Sequence, residues 1–198
     1  MLKRIVTDPS ALILLAGNAW CIYYFNAHPE QFGTVIWIYW FQSVIIGLFN
    51  FLDMITLKNF DTKDFKVNDQ PATKENKGCT SFFFLFHYGA FHVAYLVFIA
   101  VAYTKTAELK IVMLGALAFL LESIITFRRK KIAEQTVTIN FGTLFFLPYV
   151  RIVPMHLLIL LPSFLHWQPS TIFLVLKTIA DILFYFFTKR LYQRSVIT

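Results

Sequence analysis

Residues 39–54 read YWFQSVIIGLFNFLDM. Apolar side chains dominate this stretch, but Tyr39, Gln42, Asn50 and Asp53 interrupt it. At 100° per residue those four fall within roughly 80° of one another, so a helix carries them on one face. With its flanks, about 33–56, the stretch exceeds the roughly 20 mostly apolar residues that cross a bilayer. It reads as a membrane helix whose polar stripe turns away from lipid and toward other helices.

The rest of the chain agrees. Of 198 residues, 58% are apolar and 15% charged, with 23 phenylalanines; the mean hydropathy is +0.62. A soluble domain carries about 45–50% apolar and about 25% charged residues. The excess apolar area needs lipid as its solvent. The expected fold is all-α, one transmembrane domain over 1–198, with six spans near 11–27, 33–56, 80–103, 110–127, 140–164 and 170–188. Span one follows a capping DPS with Pro9 in the first turn. Its aromatic end lacks a small-residue cleavage site, so it reads as an uncleaved span.

Loop charges set an orientation. Lys3 and Arg4 precede span one, five lysines follow span two, Lys105 and Lys110 follow span three, Arg128–Lys131 follow span four, and Lys189, Arg190 and Arg194 close the chain. The loops HPEQFG and HWQPS carry neither Lys nor Arg. Cationic loops stay cytoplasmic, which puts both termini inside and the protein in the inner cell membrane. The net charge of +7 is explained by this rule, and no basic stripe with interleaved aromatics points to nucleic acid. Residues 57–78 form the only sizeable polar stretch and read as a cytoplasmic linker, partly disordered. Cys21 and Cys79 lack metal-ligand spacing and read as reduced, packed thiols.

Ionisable groups inside spans are costly and mark interior or functional positions. Span three carries His87 and His92, about 140° apart on a helix. Span four carries Glu122. Span five, FFLPYVRIVPMHLLILLPSFL at 145–165, sets Arg151 and His156 among prolines. Pro148 and Pro154 bracket Arg151, and broken helices free carbonyls that only protein or a watery cavity tolerates. Span six carries Lys177 and Asp181 at i and i+4, close enough to pair. Arg151 is expected to point inward, toward Asp181, Asp53 or an anionic ligand. The expected polar network is therefore Gln42, Asn50, Asp53, His87, Arg151, His156, Lys177 and Asp181.

The blocks YWFQSVIIGLFN, HYGAF, RIVPMH and LKTIAD resemble those of a family of bacterial and archaeal multi-pass membrane proteins, catalogued only as a domain of unknown function. The resemblance covers nearly the whole chain. It implies Gln42, Asn50, His87, Arg151, His156, Lys177 and Asp181 as the family's polar positions, and supplies no activity. Tyr95 and Tyr185 stand near places where the family pattern implies further histidines, a departure that counts against a bis-histidine metal site there.

No serine–histidine arrangement, HExxH or P-loop occurs, so the sequence leans away from an enzyme. Three functions remain. The leading one is a small transporter or channel-like protein, handling an anion or a proton at the polar network. The second is a haem- or metal-binding redox protein built on His87, His92 and His156. The third is a non-catalytic subunit or sensor that docks a cytoplasmic partner through 57–78 and 128–131. Homo-oligomerisation fits all three, and no cofactor is specified by the residues.

Overall fold

A computed structural model describes residues 8–62, 65–67, 70–71, 73, 75–150, 152–153 and 171–192. Among them are six α-helices: α1 Pro9–Ala27, α2 Phe32–Thr56, α3 Lys77–Tyr103, α4 Leu109–Ala133, α5 Phe141–Val150 and α6 Thr171–Leu191. The all-α expectation holds. Asp8 caps α1 with its side chain, Oδ1 accepting from Ser10 N at 3.1 Å, and Pro9 sits where its missing N–H costs nothing. Lys130 and Lys131 fall in the last turn of α4, where cations meet the negative end of the helix dipole.

The helices alternate in direction. At one end Asp8, before α1, meets Arg129 of α4 and Lys189 of α6. Asp53, near the end of α2, meets Lys130 of α4 and Tyr192 just past α6. Lys77 Nζ, at the start of α3, reaches Leu57 O. At the other end Thr171 Oγ1 donates to Asn26 Oδ1, and Glu108 N donates to Thr34 Oγ1. Lys77, Arg128–Lys131 and Lys189–Arg190 therefore gather at one end of the bundle, while Lys105 and Lys110 lie at the other.

Helix α2 is the hub. It packs on α3 and α4, while α1 packs on α4 and α6. Its contact with α3 is close because Gly47 has no side chain: a Cβ there would lie 2.3 Å from the ring of Tyr88. The outward faces are apolar, with Phe82, Phe83, Phe86, Val93, Val97 and Val101 exposed on α3 and Met113, Leu114, Leu117 and Leu121 on α4. The inward faces hold Asn18, Gln42, Asn50, Asp53, Lys177 and Asp181, all buried. Apolar outside and polar inside is the reverse of a soluble bundle, and it suits a lipid solvent. Four helices, α2, α3, α4 and α6, are long and apolar enough to cross a membrane. In α1 the polar Asn18 and Asn26 and the amphipathic Trp20, Tyr23 and Tyr24 lower the hydropathy below that of those four.

One sequence reading is corrected here, that of Cys79 as a packed thiol. Within 57–78, β1 Phe60–Asp61 pairs in parallel with β4 Ile139–Asn140, and β2 Lys66–Val67 pairs antiparallel with β3 Gln70–Pro71. Phe60 and Phe65 anchor this segment, their rings tilted or edge-on against Phe141 and Phe145 at the start of α5. The burial of Phe65 and partial burial of Phe60 outweigh the polar character of the intervening residues. Cys79 is exposed, unlike the buried Cys21, because it lies in the first turn of α3 on its outer side.

Candidate functional site

The most buried polar assembly joins α1, α2 and α6 in mid-bundle. Lys177 Nζ donates to Asp181 Oδ2 at 2.5 Å, to Asn18 Oδ1 at 3.3 Å, and to Gln42 Oε1. Asp181 Oδ2 also accepts from Asn18 Nδ2 at 3.0 Å and Gln42 Nε2 at 3.2 Å. Each amide thus bridges the pair, accepting from the cation and donating to the anion, which fixes both amide orientations. The Tyr39 ring presents its face to Lys177 Nζ, with the centroid 3.8 Å away. Asp181 is 2% exposed and Lys177 6%. Two charges at this depth persist only because each has a counter-charge and polar partners.

The other polar residues of the α2 stripe belong to different assemblies. Asn50 Nδ2 donates to Leu144 O at 3.1 Å. Proline 148 has no N–H to offer that carbonyl, which lies four residues back in α5. Asn50 therefore caps the acceptor that Pro148 frees, and ties α2 to α5. Asp53 is fully buried at the basic end. Its Oδ2 lies 3.1 Å from Lys130 Nζ and accepts from Tyr192 Oη at 2.6 Å. Its Oδ1 lies 3.1 Å from Lys131 Nζ, an ion pair off hydrogen-bond alignment.

The two histidines of α3 part company. His92 is buried, with Nδ1 2.9 Å from Tyr88 O and Nε2 2.8 Å from Ser43 Oγ. A carbonyl only accepts, so Nδ1 carries the proton and Nε2 accepts from Ser43. Both nitrogens being engaged, His92 locks α3 to α2 and is not placed to ligate. His87 turns to α5, with Nδ1 2.8 Å from Tyr149 Oη. Among the described residues no three His, Cys, Asp or Glu gather as a metal site. Arg151 and His156 lie outside the described residues, as does Pro154. Glu122 accepts from Thr126 Oγ1 at 2.8 Å, within its own helix.

Two neighbouring cavities lie on the basic side of this assembly. At the basic end a space of about 350 Å³ is lined by Asp8, Ser10, Arg129, Lys189, Thr188 and Tyr192 among others. Deeper in, a smaller space of about 60 Å³ meets Leu14, Ile46, Asn50, Glu122, Ser123 and Tyr185. Thr126, Lys130, Tyr185 and Thr188 line both. The Lys177–Asp181 assembly comes one helical turn beyond, since Asn18, Gln42 and Asp181 are each four residues from Leu14, Ile46 and Tyr185.

A model of a family of unknown function, DUF6498, matches residues 1–197. The chain belongs to this family. No curated protein and no solved structure matches it. The match covers every site residue described above.

In this DUF6498 chain four contributors escape the sequence reading. Asn18 has a visible signal, a lone amide in the apolar run ALILLAGNAWC. Lys130 and Lys131 look like loop charges, yet they neutralise Asp53. Asp8 looks like a cap alone, yet its carboxylate also meets Arg129, Lys189 and Tyr185. Burial by itself would raise the Asp8 pKa. The hydrogen bonds from Tyr185 and Lys189 and the charges of Lys189 and Arg129 outweigh burial and hold it down to about 2, from 3.8. A depressed carboxylate pKa adds stability above the unfolded value, lost as pH falls through the folded one. The melting-temperature advantage of wild type over Asp8→Asn should thus be full above about pH 4 and vanish toward pH 2, measured by thermal unfolding in detergent. An advantage constant across that range would remove Asp8 from the ion cluster.

Proposed function

We propose that the chain is a six-span membrane transporter or channel-like protein, with both termini cytoplasmic in the inner cell membrane, that passes a proton or small anion through its polar interior. The observation that carries this reading is the succession of polar groups along the bundle. A basic cavity adjoins a smaller one that meets Glu122, Ser123 and Asn50, and the buried Lys–Asp pair lies one helical turn beyond. Bare structural support needs one such level, whereas stepwise handling of charge across a low-dielectric interior needs several in series.

The test is flux. Protein in liposomes holding a pH-sensitive dye is given a proton gradient, then a chloride gradient. Wild type should exceed empty liposomes for one of the two ions, and the paired Lys177→Met, Asp181→Asn variant should fall to background while still folded. Wild-type flux at background for both ions would overturn the reading.

The complete hydrogen bonding around Lys177 favours a second reading, a polar clamp that fixes α6 against α1 and α2. Flux by the folded double variant at the wild-type rate would select the clamp and place the conduction path elsewhere.

A further inference from the structure

The lipid-facing side of α3 carries one group that lipid cannot satisfy. Among the described residues of α2, α3, α4 and α6, His87 is the one ionisable side chain exposed in the apolar middle of a helix. Lys77, the first residue of α3, lies at the basic end. His87 follows ten residues later, about 15 Å along the axis at about 1.5 Å per residue. A hydrocarbon core about 30 Å thick takes in that depth, so headgroups do not reach it. The ring is fixed in place: Nδ1 lies 2.8 Å from Tyr149 Oη on α5, and Phe83 stacks on the ring with centroids 5.4 Å apart. Nε2 has no partner among the described residues. A polar nitrogen left unpaired in hydrocarbon is costly, and polar side chains in a membrane find their partners across helices.

A second copy of this chain can supply that partner. A neutral imidazole donates from one nitrogen and accepts at the other, and the Tyr149 hydroxyl suits either tautomer because it also does both. Two His87 rings can therefore bond to each other, one Nε2 donating and the other accepting. In a two-fold dimer each residue near the axis meets its own counterpart, so the surface has to complement itself. The α3 face meets that condition. Residues 78–104 contain no Asp, Glu, Lys or Arg, so no like charges meet across the axis. Ala90 and Ala94, both exposed, lie within about 60° of His87 around the helix. Side chains that small let a second backbone come close. We propose that the chain forms a parallel two-fold dimer through α3, closed by a hydrogen bond between the two His87 rings. The contact is separate from the Lys177–Asp181 pair and stands whether or not that pair conducts.

The experiment counts copies. Full-length protein is labelled, placed in liposomes over a range of protein-to-lipid ratios, and scored by single-molecule photobleaching. Disulfide formation is followed in parallel in a Cys79→Ser background, since Cys79 is exposed and Cys21 buried. Wild type should show a concentration-dependent dimer. Ala94→Cys should crosslink, and Met113→Cys, on the exposed face of α4, should not. His87→Leu should weaken the dimer by roughly 5-fold, the scale of one hydrogen bond between helices in lipid. Ala94→Trp places a wedge at an exposed position. It should weaken the dimer at least as much and leave the melting temperature of the monomer unchanged, which separates a lost contact from a lost fold. A monomer at every ratio would overturn the dimer. A dimer of wild-type strength in both variants would overturn this face, and crosslinking through Met113→Cys alone would do the same by moving the contact to α4.

Discussion

Lys177→Met should lower the melting temperature of the detergent-solubilised protein by roughly 10 °C, and adding Asp181→Asn should recover most of it. Removing one member of a buried pair leaves the other charge uncompensated, at about 3–5 kcal/mol. One kcal/mol moves the melting point by about 2–4 °C in a protein of this size. Asp181 keeps the Asn18 and Gln42 amides once the ammonium is gone, while the carbonyl oxygens of those amides lose their donor. Neutralising Asp181 in the same chain removes the stranded charge, and Met fills most of the lysine stem's volume beside Tyr39 and Phe119. The measurement is a double-mutant cycle by tryptophan fluorescence. Additive single effects, with no recovery in the double variant, would show that the two side chains do not interact.

The second large effect lies at Asn50. Asn50→Leu should cost about 1–3 kcal/mol, because Leu144 O is left buried without a donor. Leu144 is fully buried, so water cannot substitute. The origin of that open carbonyl is Pro148, and the diagnosis predicts a specific rescue. Pro148→Ala restores an N–H four residues on from Leu144, so the carbonyl regains a donor within α5. Asn50→Leu should therefore be markedly milder in a Pro148→Ala background than in wild type. Equal costs in both backgrounds would show that Asn50 serves another partner, the Met54 sulfur at 3.5 Å being the nearest alternative.

Helix positions were legible where a segment has its own apolar signature, which needs no knowledge of neighbours. The expected 33–56, 80–103 and 170–188 lie close to α2, α3 and α6. The polar stripe of α2 was legible for the same reason, since helical period alone brings Tyr39, Gln42, Asn50 and Asp53 to one side. What that stripe faces was not. Its four members meet α6, α5 and α4 separately, so one stripe serves three assemblies rather than one site. The pairing of Lys177 with Asp181 lies within one helix and could be read from spacing; the bridging by Asn18, 159 residues from Lys177, could not.

The sequence by itself determined that this chain is helical, apolar on its outside, and basic at alternate loops. Those are properties of single segments, set by periodicity and by the cost of moving charge into hydrocarbon. Tertiary structure alone decided which polar groups answer each other. Lys130 and Lys131 became the counter-ions of Asp53, and Asp8 joined the ends of α4 and α6. A buried polar group is stable only with a partner at hydrogen-bond distance, and that partner is chosen by how helices pack, which no single segment encodes.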